Sequence, residues 1–239
     1  MKAWRLEKLG GRLAFEDIPV PELRRGAALV RVEASALMSY LKAYVDGKLP
    51  FYNPPDRPFT IGTNAVGTIE AVGEGVFALR PGQRVIVSSH VVARENVADP
   101  PQILIGLTSS PEAAPMLAEW GDGMLAEYAL VPAEAVTPLD GLEDMEATKL
   151  VALSRFVVPY GGLLRGRLAA GETLVVNGAT GSYGGVKEKA GPKAGPVMPR
   201  GRFELTSRRR RRCRRSSACR RRDPYRSGRP ARPCRPSCP

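Results

Sequence analysis

The sequence predicts a mixed fold in three parts: an antiparallel, barrel-like β domain over residues 1–140, the opening of an α/β unit over 141–186, and a basic tail over 187–239. Three observations carry that division. Strand-type patterning with Gly/Pro turns fills the first 135 residues, the apolar period changes near Asp140, and composition breaks sharply after residue 186.

In the first part the strands read from residues 28–35 (ALVRVEAS), 67–72 (GTIEAV), 83–89 (QRVIVSS) and 126–132 (AEYALVP), which are β-branched or alternate apolar with polar. Residues 39–48 (SYLKAYVDGK) read instead as a short helix. Leu41, Tyr44 and Val45 share one face there, and Gly47 supplies the stop. Residues 94–120 are Pro-rich and aperiodic, which predicts an excursion loop.

From Asp140 the pattern turns helical. Asp140 is placed to cap a helix, with Glu143 completing a capping box ahead of MEATKLVALSRFVV. Pro159 and Gly161-Gly162 are expected to interrupt that helix, and residues 161–172 to form a second short one ending by Gly171. The chain then enters TLVVNG (173–178), apolar enough to be a strand buried on both faces of a parallel sheet.

After that strand, residues 178–184 read Gly-Ala-Thr-Gly-Ser-Tyr-Gly, which gives Ala-x-Gly-x-x-Gly from Ala179 through Gly181 to Gly184. Missing side chains let backbone N–H groups approach a pyrophosphate, and a following helix N-terminus stabilises its charge. The same spacing also serves an ordinary strand-to-helix turn.

Two longer stretches add to it. Residues 62–85 (GTNAVGTIEAVGEGVFALRPGQRV) resemble the N-terminal signature of the medium-chain dehydrogenase/reductase superfamily, and residues 122–139 (DGMLAEYALVPAEAVTPL) resemble the segment that closes its catalytic domain. The resemblance runs from Met1 to about Gly184. It implies a GroES-like catalytic domain (1–140), then a linker helix and the first strand and turn of a Rossmann cofactor domain (141–186). The implied chemistry is hydride transfer to or from an alcohol, carbonyl, quinone or enone with NAD(H) or NADP(H), the latter favoured. Asn177, Ala179, Thr180, Gly181, Ser182, Tyr183 and Gly184 would then hold the cofactor's pyrophosphate.

Zinc-dependent members of that superfamily carry Gly-His-Glu where this chain has Gly62-Thr63-Asn64, and a cysteine where it has Met38-Ser39. Hydroxyls, a thioether and an amide do not replace thiolate and imidazole as zinc ligands. The likeness is therefore to zinc-free quinone-oxidoreductase and enoyl-reductase types. Polarising the reacting oxygen then falls to hydrogen-bond donors, for which Ser39, Tyr40, Thr63 and Asn64 are the candidates. The alternative role for these four is to fill the vacated metal pocket as a polar cluster. Tyr44 and Tyr52 are further candidates, as packing or lid residues. His90, the single histidine, is expected to be a surface or packed residue.

Past Gly184 the pattern of a dinucleotide fold stops. A helix, a second strand and an acidic residue about 20 positions on are required, but Pro192 and Pro196 each cost about 3 kcal/mol inside a helix. Glu204 stands at the acidic position without a strand around it. Residues 187–239 hold 19 of the 36 Lys+Arg and 3 of the 24 Asp+Glu, a net charge of +16, so residues 1–186 carry −4. Charge of that density with few large apolar residues predicts disorder.

Three readings of the tail stand side by side: an RNA-binding arm, an irregularly spaced cysteine metal site, and the out-of-frame translation of a GC-rich gene beyond about codon 185. The last is the expectation adopted, and with it an impaired cofactor site. All four cysteines (Cys213, Cys219, Cys234, Cys238) lie in the tail, so neither a disulfide nor a cysteine-ligated metal is available to the body. No signal segment opens the chain and no apolar run suits a bilayer. A cytoplasmic protein acting on a small-molecule substrate is expected, without membrane association, with non-specific nucleic-acid binding open to the tail and the family's homo-oligomer interface in question.

Overall fold

The computed structural model describes residues 1–167 and Leu174. The glycine turn at 178–184 and the whole of the tail lie outside the described residues.

Among the described residues every strand pair is antiparallel, in three sheets. The N-terminal sheet has β1 (Lys2–Leu6) between β2 (Leu13–Asp17) and β4 (Phe59–Thr60). The central sheet runs β10–β3–β5–β6–β11, built from β3 (Ala27–Ser35), β5 (Ala65–Val72), β6 (Arg84–Val87), β10 (Tyr128–Pro132) and β11 (Val136–Pro138). A third sheet joins β7 (His90–Val92), β8 (Gln102–Leu104) and β9 (Thr108–Ser109). The four strands expected from the sequence are therefore present, with no end shifted by more than two residues.

Alternation explains how the central sheet is covered. Ala65, Ile69, Val85 and Val87 point into one core with Val30, Val91, Ile103, Ile105, Leu117 and Met124. The intervening Val66 points to the other face, against Leu139, Leu150 and Val151. A strand has period 2, so neighbours serve opposite layers, and each Val, Leu or Ile so buried stabilises by about 1.5–3 kcal/mol. A separate cluster of Leu6, Tyr44, Phe59, Ile61 and Leu107 ties the N-terminal sheet to α1 (Leu41–Val45). Tyr44 is fully buried, Leu41 and Val45 pack beside it, and Gly47 takes φ 71° just beyond the helix, all as its sequence predicts.

Three local expectations are corrected. Residues 94–120 are not an excursion loop throughout: β8, β9, a 3-10 turn (Pro111–Ala113) and α2 (Ala114–Trp120) occupy their second half. Ile103, Ile105 and Leu107 alternate there and are buried, a period-2 signal overshadowed by the Pro100-Pro101 pair before it. The Asp140–Glu143 capping box does not form. Gly141 takes φ 77°, so no helix can start at that point, and its N–H donates to the Glu143 carboxylate at 2.9 Å. Helix α3 begins only at Ala147 (Ala147–Val151). Finally, α4 (Ser154–Arg165) continues through Pro159 and Gly161-Gly162. Pro159 is the buried residue of that helix, so packing of its ring competes with the lost hydrogen bond.

Candidate functional site

Gly62 sets the geometry of the candidate site. It takes φ 112°, and a Cβ there would stand 2.5 Å from the Leu125 nitrogen. The absence of that atom lets the chain cross segments 121–125 and 105–107 backbone against backbone. Gly123 N–H donates to Thr60 O at 2.7 Å and Leu125 N–H to Ile61 O at 2.9 Å. Chain that has turned through Gly62 delivers Thr63 and Asn64 to the start of β5.

The β3–β5 register then fixes their neighbours. Ser35 pairs with Ala65, so the next residues along, Ala36 and Asn64, meet at the end of the ladder. Ala36 N–H donates to the Asn64 carbonyl at 2.8 Å. The loop from Ala36 through Ser39 and Tyr40 into α1 therefore starts from Asn64. Thr63 is buried, Asn64 half-buried, Ser39 and Tyr40 exposed.

Asn64 is held at both ends. Its Oδ1 accepts from the Ser89 N–H at 2.8 Å and from the Ser89 hydroxyl at 3.3 Å. With both donors directed at the oxygen, the amide NH₂ faces away from Ser89 as a donor. Ser89 lay within an expected strand, but nothing in its sequence context marked it as the partner of Asn64, since 25 residues separate them.

The tyrosines divide by role. Tyr44 donates its hydroxyl to the Leu107 carbonyl at 2.6 Å in the core, and burial first, then the neighbouring Tyr52 and Tyr40, push its pKa far above the ordinary phenol value. It stays protonated and structural. Tyr52 stacks edge-on to Tyr44 at 5.4 Å between centroids, and the Tyr40 ring lies 6.0 Å from Tyr52. Tyr40 thus continues an aromatic row from the core to the surface. Leu37 and Phe51 stand exposed nearby in sequence, adding apolar surface to these loops.

His90 is exposed on β7 with Nε2 2.7 Å from the Gln102 side-chain oxygen. Among the described residues no three His, Cys, Asp or Glu side chains cluster as metal ligands do. The four candidate residues offer hydroxyls and one carboxamide, a donor set suited to hydrogen bonding and poor for zinc. No helix among the described residues is long and apolar enough to cross a membrane.

The profile of the alcohol dehydrogenase GroES-like domain matches residues 24–141, which span the central sheet, the crossing at Gly62 and the loop bearing Ser39 and Tyr40. The chain belongs to the medium-chain dehydrogenase/reductase superfamily. An NAD-dependent alcohol dehydrogenase of Sulfurisphaera tokodaii is 29% identical over 199 residues, covering 77% of this chain and 53% of that protein. A quinone oxidoreductase of Lama guanicoe is 28% identical over 188 residues, covering 77% and 47%. In three dimensions the chain is similar to the 2R,3R-butanediol dehydrogenase of Bacillus subtilis, with a TM-score of 0.63 over 79% of this chain and 54% of that one. At 23% identity that likeness shows the fold alone. The chain spans about half the length of the curated relatives it matches.

Within the superfamily's GroES-like domain, Thr63-Asn64 and Met38-Ser39 occupy the two segments that the β3–β5 ladder brings together. Met38 packs with the core around Tyr44 and Phe59. The sequence singled out Asn177, Ala179, Thr180, Gly181, Ser182, Tyr183 and Gly184 for a cofactor, and these lie outside the described residues.

Proposed function

We propose that the chain carries the catalytic-domain half of a zinc-free, NAD(P)-dependent oxidoreductase acting on a carbonyl, quinone, enone or alcohol, and that in its 239-residue form cofactor binding is impaired. The observation that carries the first half is the Asn64 amide, oriented by Ser89 so that it offers N–H rather than oxygen. A reacting carbonyl oxygen gains negative charge as hydride arrives, and an oriented N–H stabilises that charge without reorganising. Thr63, Ser39 and Tyr40 supply hydroxyl donors from the adjoining segments. The Tyr40–Tyr52 pair suits a ligand with a planar apolar body.

The nicotinamide group would supply or accept the hydride, held by Asn177 and the 179–184 turn, with NADP(H) favoured over NAD(H). Impairment rests on the prolines at 192 and 196 and on the absence of a strand pattern around Glu204. We place the chain in the cytoplasm, with a small molecule as substrate and only non-specific nucleic-acid contact through its arginine-rich end.

Titration of NADPH against the purified full chain, with an enone present, tests the reading. Affinity weaker than about 1 mM, a binding free energy under about 4 kcal/mol, is expected, with negligible hydride transfer. Micromolar binding with turnover would overturn the impairment and leave the catalytic-domain reading standing. Turnover unchanged by Asn64→Asp in such an active chain would overturn the donor assignment.

A further inference from the structure

A concavity is lined by none of Ser39, Tyr40, Thr63 and Asn64. This cleft of about 530 Å³ is framed by the segment after β2 (Ile18, Pro19, Pro21), the end of α2 (Trp120) and the face of β10 (Tyr128, Leu130). Its walls are largely apolar; the charged side chains that reach it are Arg5, Arg24, Arg57, Glu119 and Asp122, and Met1, whose ammonium donates to the Ile18 carbonyl at 2.7 Å, lines it too. Guanidinium groups outnumber carboxylates there.

The two carboxylates differ in what they neutralise. Asp122 is fully engaged: Oδ1 accepts from Arg5 Nη1 at 2.6 Å and from the Thr60 N–H at 2.7 Å, and Oδ2 pairs with Arg57 Nη2 at 2.8 Å. Glu119 is not. Its nearest carboxylate oxygen stands 3.8 Å from Arg24 Nη1, beyond hydrogen-bond reach. Arg24 instead donates Nη2 to the Glu119 backbone carbonyl at 2.6 Å, and its Nε is buried without a partner. The guanidinium plane lies 3.8 Å from the Trp120 ring, which fixes the fork's orientation. Positive charge in excess, on partly exposed guanidinium groups, therefore borders a cleft with largely apolar walls.

We propose that this cleft binds a small aromatic carboxylate. The carboxylate would meet the N–H groups of Arg24 and Arg57 left over after Arg24 Nη2 donates to the Glu119 carbonyl and Arg57 Nη1 and Nη2 engage the Pro58 carbonyl and Asp122, and the ring would lie on the Pro19, Pro21 and Trp120 wall. Negative charge on the ligand matches the sign of the excess, and a planar body matches the walls. None of its residues is among those assigned to hydride chemistry or to the cofactor turn.

The test uses the full chain carrying Trp4→Phe, in which Trp120 is the remaining tryptophan. Benzoate should change its emission saturably, and benzamide, the neutral isostere, should bind about tenfold more weakly because the charge-assisted bonds are lost. Arg24→Gln and Arg57→Gln should each weaken benzoate by roughly five- to tenfold, and added salt should do so progressively. Arg57→Gln leaves the Arg24–Trp120 stack in place, so it remains informative if Arg24→Gln destabilises the fold. Equal affinity for benzoate and benzamide, a non-saturating response, or a folded Arg57→Gln protein that binds benzoate unchanged would overturn the proposal.

Discussion

Gly62 and Asp122 show how much single residues decide, one beside the candidate site and the other in the arginine-lined cleft. At Gly62 the left-handed backbone and the 2.5 Å approach to Leu125 N leave no room for a methyl group. Gly62→Ala should cost at least about 3 kcal/mol, since strain and a forced backbone shift add together. Urea denaturation measures it, and a loss under about 1 kcal/mol would contradict the crossing as described. Asp122 makes a pH prediction. Burial works to raise its pKa, but the hydrogen bonds from Arg57 and Thr60 and the charges of Arg57 and Arg5 outweigh it, holding the carboxyl below its ordinary 3.8. A carboxylate whose folded pKa is depressed contributes stability above its unfolded pKa, and that contribution disappears as pH falls through the folded value. Asp122→Asn should therefore flatten the stability profile below about pH 4. Because the side chain is 41% exposed, solvent screens the pair and the effect should be modest. Wild-type and variant profiles running parallel from pH 5 down to pH 2 would count against it.

The helices after the β domain carry contrasting surfaces. In α3, Leu150 is fully buried and packs with Val66 and Leu139. In α4, Val157, Val158 and Leu164 are each more than half exposed despite the apolar run they form. Leu150→Ala should cost about 2–4 kcal/mol through lost burial and a cavity, whereas Val158→Glu should stay within about 0.5 kcal/mol and raise solubility by breaking an apolar patch. Thermal melts and light scattering on the two variants check both halves. The turn before α3 is held differently, by a half-buried arginine: Arg84 Nη1 donates to the carbonyls of Glu143 and Met145 at 2.8 and 2.6 Å, and Nη2 pairs with Glu33 at 2.8 Å. It takes the place of the capping box that the sequence suggested.

Across the β domain the cores are linked, because the segment from Phe59 through Ala65 passes from the cluster around Tyr44 into the one around Ile69. One cooperative unfolding transition is expected for this domain. Trp4 sits in the N-terminal sheet and Trp120 beside the central core, so each reports on a different side. Emission of Trp4→Phe and of Trp120→Phe should each follow the same urea midpoint as that variant's far-ultraviolet dichroism. Separated midpoints would show two independently stable units.

Much of this protein was legible in its residues alone. Alternating Val, Ile and Ala at 28–35, 67–72, 83–89 and 126–132 determined the central sheet, because period 2 with one or both faces apolar has few other solutions. The glycine-spaced stretch at 62–85 determined the family. What only the tertiary structure decided is non-local: Ser89 turning the Asn64 amide, Gly62 making room for Leu125, Arg5 and Arg57 converging on Asp122, and core packing that carries α4 through Pro159. Each of these joins groups whose chemistry is unremarkable along the chain and acquires meaning only when folding removes water from between them, since hydrogen bonds and charges gain their directing power in that drier surrounding.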